Sequence, residues 1–337
     1  MRWMSSSRWP KVRDVRTLGI SQQAVTADTP VLGTSYTADQ IATSTSENNY
    51  NRGGTAGLDC GSPGTQAYVN SIVDELASWG VDYVKLDGIT DANVPDIEAW
   101  SKAITQSGRP MVLGITQASF NKKIAPELKQ LAFTSRLSLL PLTSYAHWKD
   151  RFNAVANWQP YGGPGGFKGY CSIEVGDGPA DSGMSYTAEQ SQLSLWALGP
   201  CPLILGSDLT SNVTNAYGSS SGLGPTDLAM LENRPVIAVD QDAVDGSRIE
   251  DSGTVQVFAK VEAGGDGVVA LFDTSTDLSS SDDTISATAA ATGLPGEPNG
   301  YLAQDLWTHR AWSISSAEII TGQVPPEGVA LYRVAPI

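Results

Sequence analysis

The sequence predicts an α/β chain: an incomplete TIM-type (β/α) barrel followed by a C-terminal antiparallel β-sandwich. Between residues 60 and 242, helical periodicity alternates with short apolar strands joined by Gly-containing turns, the signature of a parallel sheet. From about Ile249 the texture changes to short runs divided by Gly, Ser and Asp, which read as antiparallel strands. The barrel reads as incomplete because only about four firm parallel strands are found where closure needs eight.

The elements follow in order. Residues 1–58 are polar and weakly periodic, and no strand or helix is predicted there. After Pro63, the residues Val69, Ile72, Val73 and Leu76 recur at helical spacing, and Gly80 closes the helix. VDYVKLDG (81–88) reads as a buried strand. A helix with Ile97, Trp100 and Ile104 on one face follows, stopped by Gly108, and PMVLGIT (110–116) is the next strand. Thr187-Ala-Glu-Gln190 reads as a capping box opening a helix through Leu198. CPLILGSD (201–208) is predicted as a strand, TDLAMLEN (226–233) as a helix and RPVIAVDQD (234–242) as a strand. TVQVFAKV, GVVALFD and GVALYRV supply the sandwich. The expected division is a barrel domain over 1–247 and a sandwich domain over 248–337.

The 337 residues carry 36 acidic and 21 basic side chains, a formal charge of −15. Nucleic acid and anionic lipid need clustered Lys and Arg, so neither is an expected partner. Charged residues make up 17%, with 9 Trp and 11 Tyr, against about 25% charge in an average domain. That balance suits a secreted enzyme acting on neutral, hydroxyl-rich ligands. No stretch reaches the roughly 20 apolar residues that span a bilayer. The N-terminal MRWMSSSRWPKVRDVR lacks an apolar core behind its positive charge, so it does not read as a secretory signal. Cys60, Cys171 and Cys201 allow at most one bridge, and His147 and His309 stand far apart. With no metal-ligand spacing, no metal or cofactor is expected.

Two segments carry chemistry. In the strand 81–87, Tyr83, Lys85 and Asp87 share one face while Val84 and Leu86 share the other. The apolar face suits packing on outer helices. The opposite face brings a lysine and an aspartate to the barrel interior, with Asp87 at the C-terminal end where barrel enzymes build their sites. An aspartate that caps the following turn and pairs with Lys85 is the competing reading. The second segment is WQPYGGPGGFKGYCSIEVGDG (158–178), whose glycines force a special backbone path. Trp158, Tyr161, Phe167 and Tyr170 suit stacking on a ligand face, or line an ordinary turn.

WGVDYVKLDG (79–88), YGGPGG (161–166), SLWALGPCPLILGSDLT (194–210) and NRPVIAVDQD (233–242) resemble glycoside hydrolase family 27, the α-galactosidase (melibiase) family, in its bacterial and fungal branch. LGTSYTADQI (32–41) and the terminal GVALYRV fit that branch too. The resemblance implies a retaining glycosidase, secreted and acting on carbohydrate without a cofactor. It makes Asp87 the nucleophile, Lys85 a ligand of sugar hydroxyls, and Arg136 the match of a substrate-binding arginine.

The chain departs from the family pattern where the acid/base aspartate belongs. In QLAFTSRLSLLPLTSY (130–145), matching Arg136 puts Leu140 at the acid position. After PGG the chain reads Phe167-Lys168-Gly169-Tyr170-Cys171 in place of an aromatic followed by Asp-x-Asp. The family's first strands have no counterpart before Gly19. Asp150, Glu174 and Asp177 are nearby in sequence, and none matches the missing acid. Clustered losses beside intact motifs suit a shifted reading frame or a misassigned exon. The competing reading is a non-catalytic relative that binds carbohydrate. β-L-arabinopyranosidase or isomalto-dextranase specificity is the alternative within the family. An open parallel sheet exposes its edge, so poor solubility or self-association is expected.

Overall fold

The computed structural model describes residues 15–16, 20–21, 26–49, 52–117, 122–136, 149–170, 172–176, 184–207, 213–214, 220–221, 223–315 and 319–337. The chain divides into two compact units, Met1–Leu137 and Ser138–Ile337.

The first unit holds a parallel sheet built from β1 (Val15–Arg16), β5 (Tyr83–Ile89), β6 (Val112–Gln117) and β7 (Thr134–Arg136), adjacent in that order. Helices α1 (Pro63–Ser78), α2 (Val94–Gln106) and α3 (Ala125–Leu131) alternate with these strands. The Ser62 hydroxyl caps α1 by accepting from Gly64 N at 3.2 Å, and Pro63 stands in the first turn, where a missing N–H costs nothing. Past the helix end, Gly80 takes φ +76 and Gly108 φ +71, the left-handed closure predicted for both. Val69, Val73, Ile97 and Trp100 are buried against Val84, Leu86, Leu113 and Ile115. The apolar face of the 81–87 strand therefore packs among helix residues, as predicted.

The polar N-terminal segment departs from its expectation. Ala38–Ile41 is a short 3₁₀ turn, and β3 (Ala42–Asn49) and β4 (Arg52–Leu58) form an antiparallel pair that β2 (Ile20–Ser21) joins. Backbone pairing, not apolar alternation, defines this sheet, and the β3–β4 register slips twice. Apolar periodicity therefore gives no sign of these strands. Val15–Arg16 likewise supplies a strand, parallel to β5, ahead of Gly19.

Among its described residues the second unit holds α4 (Arg151–Trp158), β8 (Phe167–Gly169), α5 (Tyr186–Leu198), the antiparallel pair β9 (Val213–Thr214) and β10 (Ser220–Ser221), α6 (Pro225–Leu231) and α7 (Arg234–Gln241). Ser185, not Thr187, caps α5: its hydroxyl accepts from Ala188 N at 3.1 Å. The predicted strand 234–242 is helix α7. Asn233 caps it by accepting from Val236 N, Pro235 sits in the first turn, and Val236, Val239 and Asp240 are buried at helical spacing. The predicted strand 201–208 shrinks to one parallel bridge, Ile173↔Leu205. Pro202 has no N–H to give a ladder, and Cys201 N donates to Asp240 Oδ1 at 3.1 Å instead.

From Ser247 the chain is antiparallel. Strands β11 (Ser247–Ser252), β12 (Val255–Val261), β13 (Gly267–Asp273), β18 (Val329–Pro336), β15 (Tyr301–Asp305) and β16 (Ala311–Ile314) form a six-stranded sheet in that order. β14 (Asp283–Thr288) and β17 (Ile319–Val324) pair over it. Every residue of β13 is buried. Val269 and Leu271 pack toward Ile285 and Ile320, whereas Val268, Ala270 and Phe272 pack toward Trp196 and Val236 on α5 and α7. A sheet covered on both faces explains the unbroken apolar run GVVALFD.

Candidate active site

The predicted lysine and aspartate lie on β5. Its register with β6 runs Tyr83↔Val112, Val84↔Leu113, Lys85↔Gly114 and Leu86↔Ile115, then jumps to Ile89↔Gln117. Asp87 and Gly88 thus stand opposite the single residue Thr116, a β-bulge at the C-terminal end of the strand. Bulges bend a strand, re-aim its residues and recur beside active sites. On the other flank Asp87 registers with Arg16. On β7, Thr134 registers with Gly114 and Arg136 with Thr116. Lys85, Gly114 and Thr134 therefore form one row across three strands, and Arg136 stands two residues, one alternate row, closer to the C-terminal ends. Lys85 is half-buried. The side chains of Asp87 and Arg136 fall outside those described.

Beneath this row Tyr83 reaches across β6, and its hydroxyl hydrogen-bonds the Thr134 hydroxyl at 2.9 Å. A Cβ on Gly114 would stand 2.0 Å from the Tyr83 hydroxyl and 2.7 Å from Thr134 Oγ1. Only glycine leaves room for the phenol to cross.

The loop beyond the bulge is tied down. Thr90 donates to Asn93 Oδ1 from its backbone N at 3.1 Å and from its hydroxyl at 3.0 Å. Asn93 Nδ2 then donates to Asp96 Oδ2 at 3.2 Å. Burial pushes the Asp96 carboxyl above its ordinary range, while hydrogen bonds from Asn93 and Cys60 pull it back. The relay joins the loop after β5 to the first turn of α2 and to Cys60, ahead of α1.

The second unit corrects the aromatic expectation. Tyr170 is fully buried with its ring edge-on to Trp196, centroids 5.8 Å apart, and Trp158 is buried against Tyr161. Tyr170 and Trp158 are therefore core residues and no stacking platform, whereas Tyr161 and Phe167 are half-buried. Glu174 accepts from the Ser172 hydroxyl at 2.7 Å, and its backbone N donates to Gln192 Oε1 at 2.9 Å. Asp150 precedes α4 on the surface. Leu140, His147, Cys171 and Asp177 lie outside the described residues. Among the described residues no group of three His, Cys, Asp or Glu could hold a metal ion, and no helix is long and apolar enough to cross a membrane.

Three features were not read from the sequence: the bulge at 87–88, Arg16 opposite Asp87, and the span of Tyr83 over Gly114. The only available signal was the glycine within an apolar strand, which marks a close approach.

Parallel βα units that carry charged residues toward strand C-terminal ends, in a chain that ends in an antiparallel sandwich, define the class as (β/α)-barrel proteins with an appended sandwich. The family model for alpha galactosidase A matches residues 49–242, and that for the alpha galactosidase C-terminal beta sandwich domain matches 252–334. An α-galactosidase of Coffea arabica is 30% identical over 280 residues, covering 82% of this chain and 67% of that protein. One from Oryza sativa is 27% identical over 279 residues, covering 81% and 61%. Among solved structures, a GH27 β-L-arabinopyranosidase from Geobacillus stearothermophilus, in complex with arabinose, superposes with a TM-score of 0.83. It is 23% identical and covers 96% of this chain and 74% of that one. The chain belongs to the α-galactosidase family, glycoside hydrolase family 27. It spans about three fifths of the length of the rice and guar relatives, 61% and 62%.

Proposed function

We propose that this protein is a retaining glycosidase that removes terminal α-galactosyl residues from oligo- or polysaccharides outside the cell. In this reading residues 1–247 are the catalytic barrel domain and 248–337 the sandwich domain. The observation that carries the proposal is Lys85-Leu86-Asp87 at the bulged C-terminal end of a parallel strand, within the segment matched to alpha galactosidase A. Asp87 attacks the anomeric carbon and forms a covalent glycosyl ester. Lys85 donates hydrogen bonds to sugar hydroxyls, and Arg136, one row nearer the strand ends, does the same. Retention calls for a second carboxyl about 5–5.5 Å from the first to protonate the leaving oxygen and then activate water. A nucleophile in such a pair stays ionised while the acid is held protonated.

The test is cleavage of an aryl α-galactoside whose phenol leaves without a proton, so that the first, phenol-releasing step does not wait on the acid. The folded chain is expected to release phenol, and Asp87→Asn to lower the rate by at least about a thousandfold. No release by a folded, soluble chain sinks the hydrolase reading. Faster release from an aryl β-L-arabinopyranoside would shift the preferred sugar within the family.

A second reading, carbohydrate binding without turnover, is favoured by one observation: Leu140 stands where the family's acid belongs. Galactose binding by a folded chain that releases no phenol supports it.

A further inference from the structure

We infer that Tyr83 is a positioning residue for Lys85, acting through its hydrogen bond to Thr134 across Gly114; the inference rests on the glycosidase reading above. Lys85 and Tyr83 are two residues apart on one strand, so they share a face of the sheet. Lys85 registers with Gly114, and Gly114 with Thr134. The place beside Lys85 that a side chain at 114 would fill is taken by the Tyr83 phenol, whose hydroxyl lies 2.0 Å from that imagined Cβ. The phenol therefore rises from the row below into the row of Lys85 and ends on Thr134 Oγ1, 2.9 Å away. Thr134 is nearly inaccessible, 5% exposed, so its end of the part-buried hydroxyl pair is shielded from competing water, with either hydroxyl able to donate.

Three consequences follow from this arrangement. On this inference the ring, which enters the row of Lys85 on the face they share, walls the space of the lysine stem and limits its rotamers. The hydroxyl bond spans β6 and ties β5 to β7, the strand that bears Arg136. The absent Cβ at 114 is a requirement of the phenol, since any other residue there displaces it. The role differs from sugar binding: Tyr83 touches the layer that orients Lys85, and Lys85 touches the sugar.

The experiment measures binding of the galactose-configured iminosugar deoxygalactonojirimycin to the full chain by titration calorimetry, with circular dichroism to verify folding. Tyr83→Phe keeps the ring and Thr134→Val keeps the shape, so each removes only the hydroxyl bond. Each is expected to weaken binding about five- to tenfold, the range of one shielded neutral hydrogen bond. The double variant is expected to bind no worse than either single one, because both act through one bond. Thr134→Ser, which keeps the hydroxyl, is expected to restore wild-type binding. A packing role gives the reverse order, with valine tolerated and serine weakened, and that order overturns the inference. Wild-type affinity in both Tyr83→Phe and Thr134→Val overturns it as well, while leaving the glycosidase reading intact. A folded wild-type chain that binds no iminosugar removes the parent reading and this one together.

Discussion

At Gly114 a hydrogen in place of a methyl group decides whether the Tyr83 and Thr134 hydroxyls keep their bond across β6. A methyl group there meets the Tyr83 hydroxyl and Thr134 Oγ1, and one of them must leave. Gly114→Ala is therefore expected to destabilise the fold by about 1–3 kcal/mol, the usual cost of overpacking; an unchanged urea midpoint would refute the close approach. Asp240 makes a second residue-scale case. Its carboxylate accepts from Cys201 N and from Gln241 Nε2 at 2.7 Å. Burial nevertheless raises its pKa to about 6, with the buried Lys260 cation and both donors pulling the other way. Between its ordinary 3.8 and about 6 the folded chain binds the Asp240 proton more tightly than the unfolded chain does. Stability contributed by this group is thus highest in acid and declines as pH rises through that window. The loss is on the order of 3 kcal/mol when complete. Asp240→Asn keeps an acceptor for Cys201 N, so it is expected to raise Tm at about pH 7.5 and to leave it unchanged near pH 4. Equal effects at both values would contradict the assignment.

Helix α7 shows what an element adds beyond its residues. RPVIAVDQD carries a β-branched run that reads as a strand, yet Asn233 and Pro235 start a helix and burial of Val236 and Val239 keeps it. An asparagine two residues before a proline was the legible signal; tertiary packing overrode the propensity. Asn233 also donates to Leu306 O at 2.9 Å. Asn233→Ala therefore removes a cap and a tie to the sandwich, with an expected loss of about 2 kcal/mol in chemical denaturation. The same contrast runs through the chain. Helices α1 and α2 and strands β5 and β6 were legible because their apolar spacing matches their burial. The β3–β4 pair was not, because its Thr, Ser, Gly and Asn residues carry no apolar alternation along the sequence. In the candidate site, alternation places Lys85 on the face opposite the buried Val84 and Leu86, and the sequence puts Asp87 at the strand end. The bulge and the Tyr83 span were hidden, since both depend on which strand lies alongside. At the α5 end, the Ser185 hydroxyl donates to Glu327 Oε2 at 2.8 Å and the Ser191 hydroxyl to Glu327 O at 2.8 Å. Glu327 itself is 6% exposed and holds φ +59, a strained conformation kept because its surroundings over-determine it.

Across the second unit, the sandwich and helices α5 and α7 share one core. Trp307 Nε1 donates to Ser194 Oγ at 3.0 Å, and the buried Lys260 ammonium donates to the carbonyls of Val239, Asp242 and Val244 at the C-terminal end of α7. A cation there satisfies carbonyls that the helix leaves open and complements its dipole. Phe152 on α4 stacks edge-on against Phe272 of β13 at 4.9 Å. Truncation after residue 247 bares Trp196, Val236 and Phe152. The shortened chain is expected to aggregate, and a soluble fragment with a cooperative melt would show that the barrel portion folds alone. For the molecule as a whole, the proposed function requires Asp87 to form a bond to the sugar. The measurement that meets it most directly is mass spectrometry of the chain after incubation with a fluorinated galactosyl fluoride, whose fluoride departs without help from an acid and whose ring fluorine slows hydrolysis of the ester. One glycosyl adduct per chain is expected, on the peptide containing Asp87, and none in Asp87→Asn. A folded chain that gains no adduct, or gains it on another residue, would contradict the claim.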